Sequence, residues 1–439
     1  MYAPPLPLVV RVGVAGEGDP APVLAYLDRI LASTPHTYVA VTTSATVPGI
    51  ADLQTVGSAA EVAEACEILV AFTEDAASSA RAAGRTFFFV TPTGAVTAEH
   101  HADRILETLR FFDTYNGESV DPARVRVKVA GHESAYRAAL LGAGLDPALL
   151  DEVAGFLLPY YARTRILADH YGSRHRLAGS AVYALSSAAI AIVAVQALLL
   201  PAWPALVWLE VAAIACVLLL LIAARILDWH RRWLDYRFLA ERIRSAIFLC
   251  FVCITCELPD RPPLTLSPHA DDWLSRAFES LVESRPQEYC SLAMPFEPLK
   301  AFLLEAWLAR QIDWYAEKAQ KNRRRHEDLL YAGEIFFIAT LIAAAAHASG
   351  VGHPYTTTLT IVLPAVAAGL AAVRIQQEYR STAERASRML RHLSALSLRI
   401  RRAEDMPALC ALLAEANEMM LREQQEWRVS FRFRELEGV

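Results

Sequence analysis

An α/β domain followed by a duplicated α-helical membrane module is the fold class expected of this chain, on three grounds. Four apolar stretches come as two close pairs, each pair is followed by Tyr-Arg-x-x-Ala-Glu-Arg, and the residues ahead of the first pair alternate short β-branched runs with Ala-rich segments. The expected organisation is a small parallel α/β domain over 1–120, a helical linker over 121–156 and a first two-span module over 157–256. A cytoplasmic connector over 257–306 and a second two-span module with long C-terminal helices over 307–439 complete it.

In the N-terminal region, Leu8 to Val14, Tyr38 to Thr42, Ile68 to Phe72 and Thr86 to Val90 read as strands separated by helical segments, the pattern of a small parallel sheet. The first strand runs into Gly13-Val-Ala-Gly16-Glu-Gly18-Asp19, and a helix is expected from about Ala21 to Ser33. Glycines at such a turn expose backbone N–H groups at a helix start, where a phosphate can bind. The spacing is not the dinucleotide fingerprint, and Glu17 and Asp19 place negative charge where an anion would sit, so a tight turn alone is an equal reading. Ligands of open α/β sheets bind beyond the carboxyl ends of the strands, which adds Thr43, Thr73 and Thr91 as candidates. Glu17, Asp19 and Asp75 form no catalytic pair with a nucleophile, and no catalytic residue is assigned. Gly117 to Val129 reads as linker.

The apolar stretches run from Leu177 to Leu200, Ala202 to Ala224, Leu329 to Gly350 and Tyr355 to Val373. About 20 apolar residues suffice to cross the hydrocarbon layer as a helix. Basic residues flank every outer end: Arg174 and Arg176 before the first pair, Arg225 and Arg231 after it, Arg323 to Arg325 before the second, Arg374 and Arg380 after it. Neither hairpin tip holds a Lys or Arg. By the positive-inside rule both termini are cytoplasmic, and the inner membrane of a bacterium-like cell is the expected location. The start Met-Tyr-Ala-Pro-Pro-Leu has no basic stretch, so the internal spans are expected to do the targeting. A formal charge of −6 gives no sign of a nucleic-acid partner.

The signature falls at Tyr236, Arg237, Ala240, Glu241 and Arg242, then at Tyr379, Arg380, Ala383, Glu384 and Arg385. Arg231 and Arg374 each stand six residues before its first arginine. An internal repeat is expected, its Glu and Arg side chains holding the modules together or coupling them. Glu210 and Glu334 are the carboxylates inside the spans and are candidates for a polar path, or for simple interfacial placement. Ala188, Ala189, Ala191, Ala194, Ala343 to Ala346, Ala367, Ala368 and Gly369 predict close helix packing. Cys250, Cys253 and Cys256 lie in an apolar helical run without further ligands nearby. They read as packing residues rather than a metal site, and a cytoplasmic compartment disfavours disulfides.

The membrane region resembles the SLATT family of two-span hairpins flanked by long helices. The resemblance is carried by Trp233-Leu-Asp-Tyr236-Arg237-Phe-Leu-Ala240-Glu241-Arg242, Asn322-Arg-Arg-Arg-His326-Glu, Glu378-Tyr379-Arg380 with Ala383-Glu384-Arg385, and Glu426-Trp427. The N-terminal domain is similar to SLOG-type Rossmannoid sensors, with Gly13 to Gly18 at the place of their nucleotide loop. Glu74-Asp75-Ala-Ala-Ser-Ser stands where such domains carry a later Gly-Gly-Thr turn. The resemblance implies a bacterial conflict-system effector that answers a nucleotide-type second messenger, has no other cofactor, and forms a homo-oligomeric pore in the lipid bilayer. Competing readings are a channel or transporter, an enzyme of nucleotide chemistry, and a membrane-anchored scaffold with a vestigial sensor.

Overall fold

A computed structural model describes residues 7–41, 53–253 apart from 17, 19, 31, 67, 84–85, 92–94 and 99–101, then 273–274, 277–278, 281 and 294–432. The chain divides into two compact units, one of residues 1–127 and 258–288 and one of residues 128–257 and 289–439.

The first unit is built on six strands, β1 Val10–Ala15, β2 His36–Val41, β3 Leu53–Val56, β4 Ile68–Ala71, β5 Thr86–Val90 and β6 Val96–Ala98, in the order β3-β2-β1-β4-β5-β6. The four strands expected from sequence are present and parallel. Strands β3 and β6 are additions at the two edges, and β6 pairs antiparallel with β5, so the sheet is mixed rather than purely parallel. These edge strands are short and carry Gln54, Thr55 and Thr97, so they lack the apolar run by which the central strands announce themselves. The innermost strands β1 and β4 are buried almost throughout, as suits Val- and Ile-rich strands covered on both faces.

Helices α1 Ala21–Ile30, α2 Ala59–Ala65, α3 Glu74–Ala82 and α4 Ala102–Gly117 complete the layers. Asn116 on α4 ties the sheet entrance by accepting from Leu8 N and donating to Leu8 O, each at 2.9 Å. Trp273, Leu274, Ala277, Phe278 and Leu281 belong to this unit and are buried at the spacing of one helix face, with Trp273 stacked on Phe111 at 5.8 Å. The stretch 117–129, expected as linker, instead holds the start of a helix, α5 Pro122–Gly142. Asp121 caps it by accepting from Ala123 N at 2.9 Å, and Pro122 fits a helix start because its missing N–H would be unpaired there anyway.

The second unit continues through α6 Leu149–Val153, α7 Leu157–Leu198, α8 Val207–Ile226, α9 Trp229–Cys253, α10 Phe296–Leu303, α11 Arg310–Ala348, α12 Tyr355–Gln376, α13 Tyr379–Arg401 and α14 Met406–Arg432. A π-helical turn, Leu304–Ala309, joins α10 to α11. At 1.5 Å per residue α7 is about 63 Å long, twice the hydrocarbon thickness, so it serves as both span and membrane-proximal stalk. The second span begins at Val207, later than expected, because Pro204 opens a separate tight turn, Pro204–Leu206, ahead of the helix.

The four apolar stretches are long enough to cross a bilayer, and many of their side chains face outward: Trp208 is 74% and Leu341 71% exposed. Such outward apolar surface marks a multi-pass membrane protein. Where the spans touch, they do so through small residues. Ala189, Ala194, Ala343 and Ala367 are buried, and Ser187 Oγ on α7 donates to Ala365 O on α12 at 3.1 Å. A Cβ on Gly369 would come within 2.3 Å of that same hydroxyl, so glycine is what allows α7 and α12 to approach there.

Candidate functional site

At the C-terminal edge of the sheet, the chain leaves β1 and β4 in opposite directions along the strand order, the place where α/β folds open a ligand crevice. Gly13 lies within β1, and a Cβ there would overlap Val62 and Cys66. Gly16 takes a left-handed φ of 104°, and Gly18 makes room for the ring of Phe72, which a Cβ would meet at 2.1 Å. Phe72 therefore occupies space that the glycines open. Thr73 caps α3 by accepting from Ala76 N at 3.3 Å, and the Thr91 hydroxyl is engaged with Ala95. Thr43 lies outside the described residues. Each described candidate of the N-terminal domain thus has a local structural task.

The richer constellation is in the second unit, beside the spans. Tyr236, Ala240, Glu241 and Arg242 of the first signature are all buried. Glu241 pairs with Arg244 on its own helix and with Arg165 on α7 at 3.6 Å. Arg244 Nη2 in turn donates to Gln311 Oε1 on α11 at 2.9 Å, which links the first module to the second. Burial works against the Arg244 charge, but the carboxylate of Glu241, with the neighbouring hydroxyls of Tyr161, Tyr315 and Tyr136, outweighs it and holds the guanidinium above its usual range. Asp235 accepts from Arg428 Nε on α14 at 3.0 Å, and Arg231 stands 4.0 Å from Asp235. Tyr315 donates to Glu423 at 3.4 Å. The first signature is therefore a buried lock among α7, α9, α11 and α14.

The second signature sits differently. Arg380 and Glu384 pair at 3.0 Å with side chains 75% and 62% exposed, while Arg385 reaches Glu378 at 3.3 Å and Arg325 lies over the Tyr379 ring. Arg374 falls in the last turn of α12, before the chain bends, whereas Arg231 falls after the corresponding bend. Those bends are marked by the left-handed residues Asp228 and Glu378.

Of the intramembrane carboxylates, Glu210 borders a cavity of about 680 Å³ among α7, α8 and α12, lined largely by apolar residues such as Ala189, Val193 and Ile214. Glu334 stands exposed on α11 beside Tyr331, Ile335 and Ile338. No group of metal-ligating side chains occurs among the described residues. Cys250 is a buried thiol in α9, while the Cys253 side chain and Cys256 lie outside the described residues. Cys410 is disulfide-bonded, contrary to the expectation that disulfides are disfavoured.

A polar cavity of about 310 Å³, not anticipated from the sequence, lies beside this lock. Arg165, Arg176, Arg237, Lys318 and Lys321 line it with Asp169 and Glu317, and Trp233 and Trp314 supply apolar walls. Gly172 leaves the space that the Trp233 indole fills, since a Cβ there would come within 2.5 Å of it. Lys318 Nζ lies 4.4 Å from the centre of the Trp314 ring. Burial, and then the charge of Arg237, pull the Lys318 ammonium down to about 7 against the opposing pull of Glu423 and Glu241. Burial likewise lowers Arg237. The basic residues are visible in the sequence as membrane flanks, but nothing in their spacing shows that α7, α9 and α11 bring them to one cavity.

The family model for the SMODS and SLOG-associating 2TM effector domain 1 matches residues 304–427. Residues 304–427 are similar to a SLATT domain. The SLATT match runs from the π-helical turn through both spans of the second module into α14, and it includes Gln311, Tyr315 and Glu423 of the buried lock. No curated protein and no solved structure matches the chain. The N-terminal sheet is compatible with a Rossmannoid fold by strand order.

Proposed function

We propose that this protein is a membrane effector of a bacterial defence-type system, in which a nucleotide-type signal acts through the N-terminal domain and several copies form a conducting path. The SLATT match, together with four helices with outward apolar faces, is the observation that carries the effector reading. Glu334 supports the oligomer: a carboxylate facing lipid costs about 2.5–3.5 kcal/mol or more, which contact with a second copy or an aqueous path relieves. The space among the spans of one chain is a cavity of about 680 Å³ with largely apolar walls, which is no continuous polar path, so conduction calls for copies around an axis. The basic flanks favour an orientation with both termini in the cytoplasm of an inner membrane.

The test is K⁺ efflux from liposomes containing the full chain, with and without added cyclic and linear nucleotides, alongside native mass spectrometry of the same sample. Efflux from a multimer, changed severalfold by Glu334→Gln, is the expected result. A monomer that stays tight under every nucleotide overturns the pore and leaves a membrane-anchored scaffold.

A further inference from the structure

The polar cavity beside the lock holds more positive charge than its own carboxylates balance. Asp169 is already engaged by Lys128 at 3.2 Å and Arg165 at 3.4 Å, and Glu317 is exposed. Among the described residues, Arg176, Lys318 and Lys321 have no carboxylate within ion-pair distance. Arg176 instead lies over the Trp233 ring at 5.7 Å and Lys318 over Trp314 at 4.4 Å. Glu423 and Glu241 already attract Arg237 and Lys318, but Arg176 and Lys321 bring further positive charge to the same cavity, and desolvation penalises each charge unless an additional anion joins them.

We propose that this cavity is a binding site for a phosphate-bearing ligand, with the phosphate held by Arg176, Arg237 and Lys318 and the attached group between Trp233 and Trp314. Guanidinium groups match phosphate oxygens with paired donors, and lysine adds a point charge. The volume of about 310 Å³ takes a phosphate with a small organic group. Two sources present this chemistry. Arg176 immediately precedes the apolar stretch that begins at Leu177, so an anionic phospholipid headgroup can reach the cavity from the bilayer, and a soluble phosphorylated molecule can reach it from the aqueous side. The lowered Lys318 ammonium agrees with a site that gains from negative charge. An occupant would bridge α7, α9 and α11, the helices the Glu241 lock already joins, so its binding would be felt in the packing of the two modules.

The experiment uses the full chain in phosphatidylcholine nanodiscs, read by thermal unfolding. One arm replaces part of the lipid with phosphatidylglycerol, and a second adds inorganic phosphate or ADP to the phosphatidylcholine sample. The expected result is a rise in midpoint in at least one arm, which names the source. Lys318→Gln and Arg176→Gln should remove most of that rise, Lys318→Arg should keep it, and Arg399→Gln, in the exposed pair with Glu415, should leave it intact. Glu317→Gln, which removes a competing charge without touching the lock, should tighten the apparent affinity severalfold. A midpoint unmoved in both arms, or a rise unchanged in Lys318→Gln and Arg176→Gln, overturns the site. Because the readout is binding and not efflux, the site stands or falls independently of the pore.

Discussion

The two copies of Tyr-Arg-x-x-Ala-Glu-Arg have the same residues and different fates. After the first hairpin the chain bends at Asp228 and starts α9 at Trp229, so Tyr236 comes about two turns into the helix. After the second it bends at Glu378, and Tyr379 is itself the first residue of α13. Two turns of helix bring a side chain back to nearly the same face, so the shift changes distance along the helix more than direction. Its consequence is burial. Glu241 has a side chain only 6% exposed and faces Arg165 and Arg244, whereas Glu384 meets Arg380 in solvent. Identical motifs therefore differ in energy because helix packing encloses the glutamate of one and leaves that of the other in solvent.

Removing each glutamate tests this most sharply. Glu241→Ala should destabilise the full chain by about 3–5 kcal/mol, because it leaves the buried Arg244 guanidinium without its counter-charge. Glu384→Ala should change stability by about 0.5 kcal/mol or less, the usual yield of an exposed i,i+4 pair. Thermal or denaturant unfolding in detergent reads both, and equal losses would break the comparison. Within the spans, Gly369→Leu should cost about 1–3 kcal/mol by driving α12 away from Ser187, with a matching loss of cysteine cross-linking between the two helices.

Enclosure of the first signature also sets a pH response. His132 packs its ring 4.9 Å from that of Tyr161, and burial, reinforced by Lys128, Arg165, Arg310 and Arg244, lowers it to about 4 from its ordinary 6.5. Between those values the unfolded chain binds the extra proton, so this residue's contribution is present above about 6.5 and is lost as pH falls towards 4. The unfolding midpoint should drop by a few degrees over that interval; His132→Gln should reduce the dependence, and His175, which burial lowers to about 3, should supply the remainder.

The bends give the smallest contrast. Asp228→Gly should stabilise by roughly 1 kcal/mol, since glycine adopts a left-handed φ without strain. Glu378→Gly gains the same relief but loses the carboxylate that receives Ser381 at 2.9 Å and Arg385 at 3.3 Å, so its net effect on the unfolding midpoint should be near zero or unfavourable.

Much of the architecture is legible in the sequence, for identifiable reasons. Central strands and spans carry continuous apolar runs whose length and punctuation distinguish them, and the repeated signature exposes the two-module plan. Helix α5 is harder to read because Asp121 and Pro122 look like a loop until their capping geometry is seen. The edge strands β3 and β6 are harder still, since their residues are half polar. The glycines of the first turn are visible as glycines, but the ring of Phe72 that accounts for Gly18 comes from a different strand end.

Local hydrophobic period, segment length and motif are enough to point to an α/β domain, four membrane-length helices and a twice-occurring Tyr-Arg-x-x-Ala-Glu-Arg signature, because each of these is written in neighbouring residues. Which signature is buried and which exposed is a matter of packing between helices. So are the seating of Phe72 in the glycine turn and the meeting of Arg176, Arg237 and Lys318 at one cavity. Those outcomes depend on which elements meet and at what height, and residues that meet through space from distant parts of the chain leave no periodic trace along it.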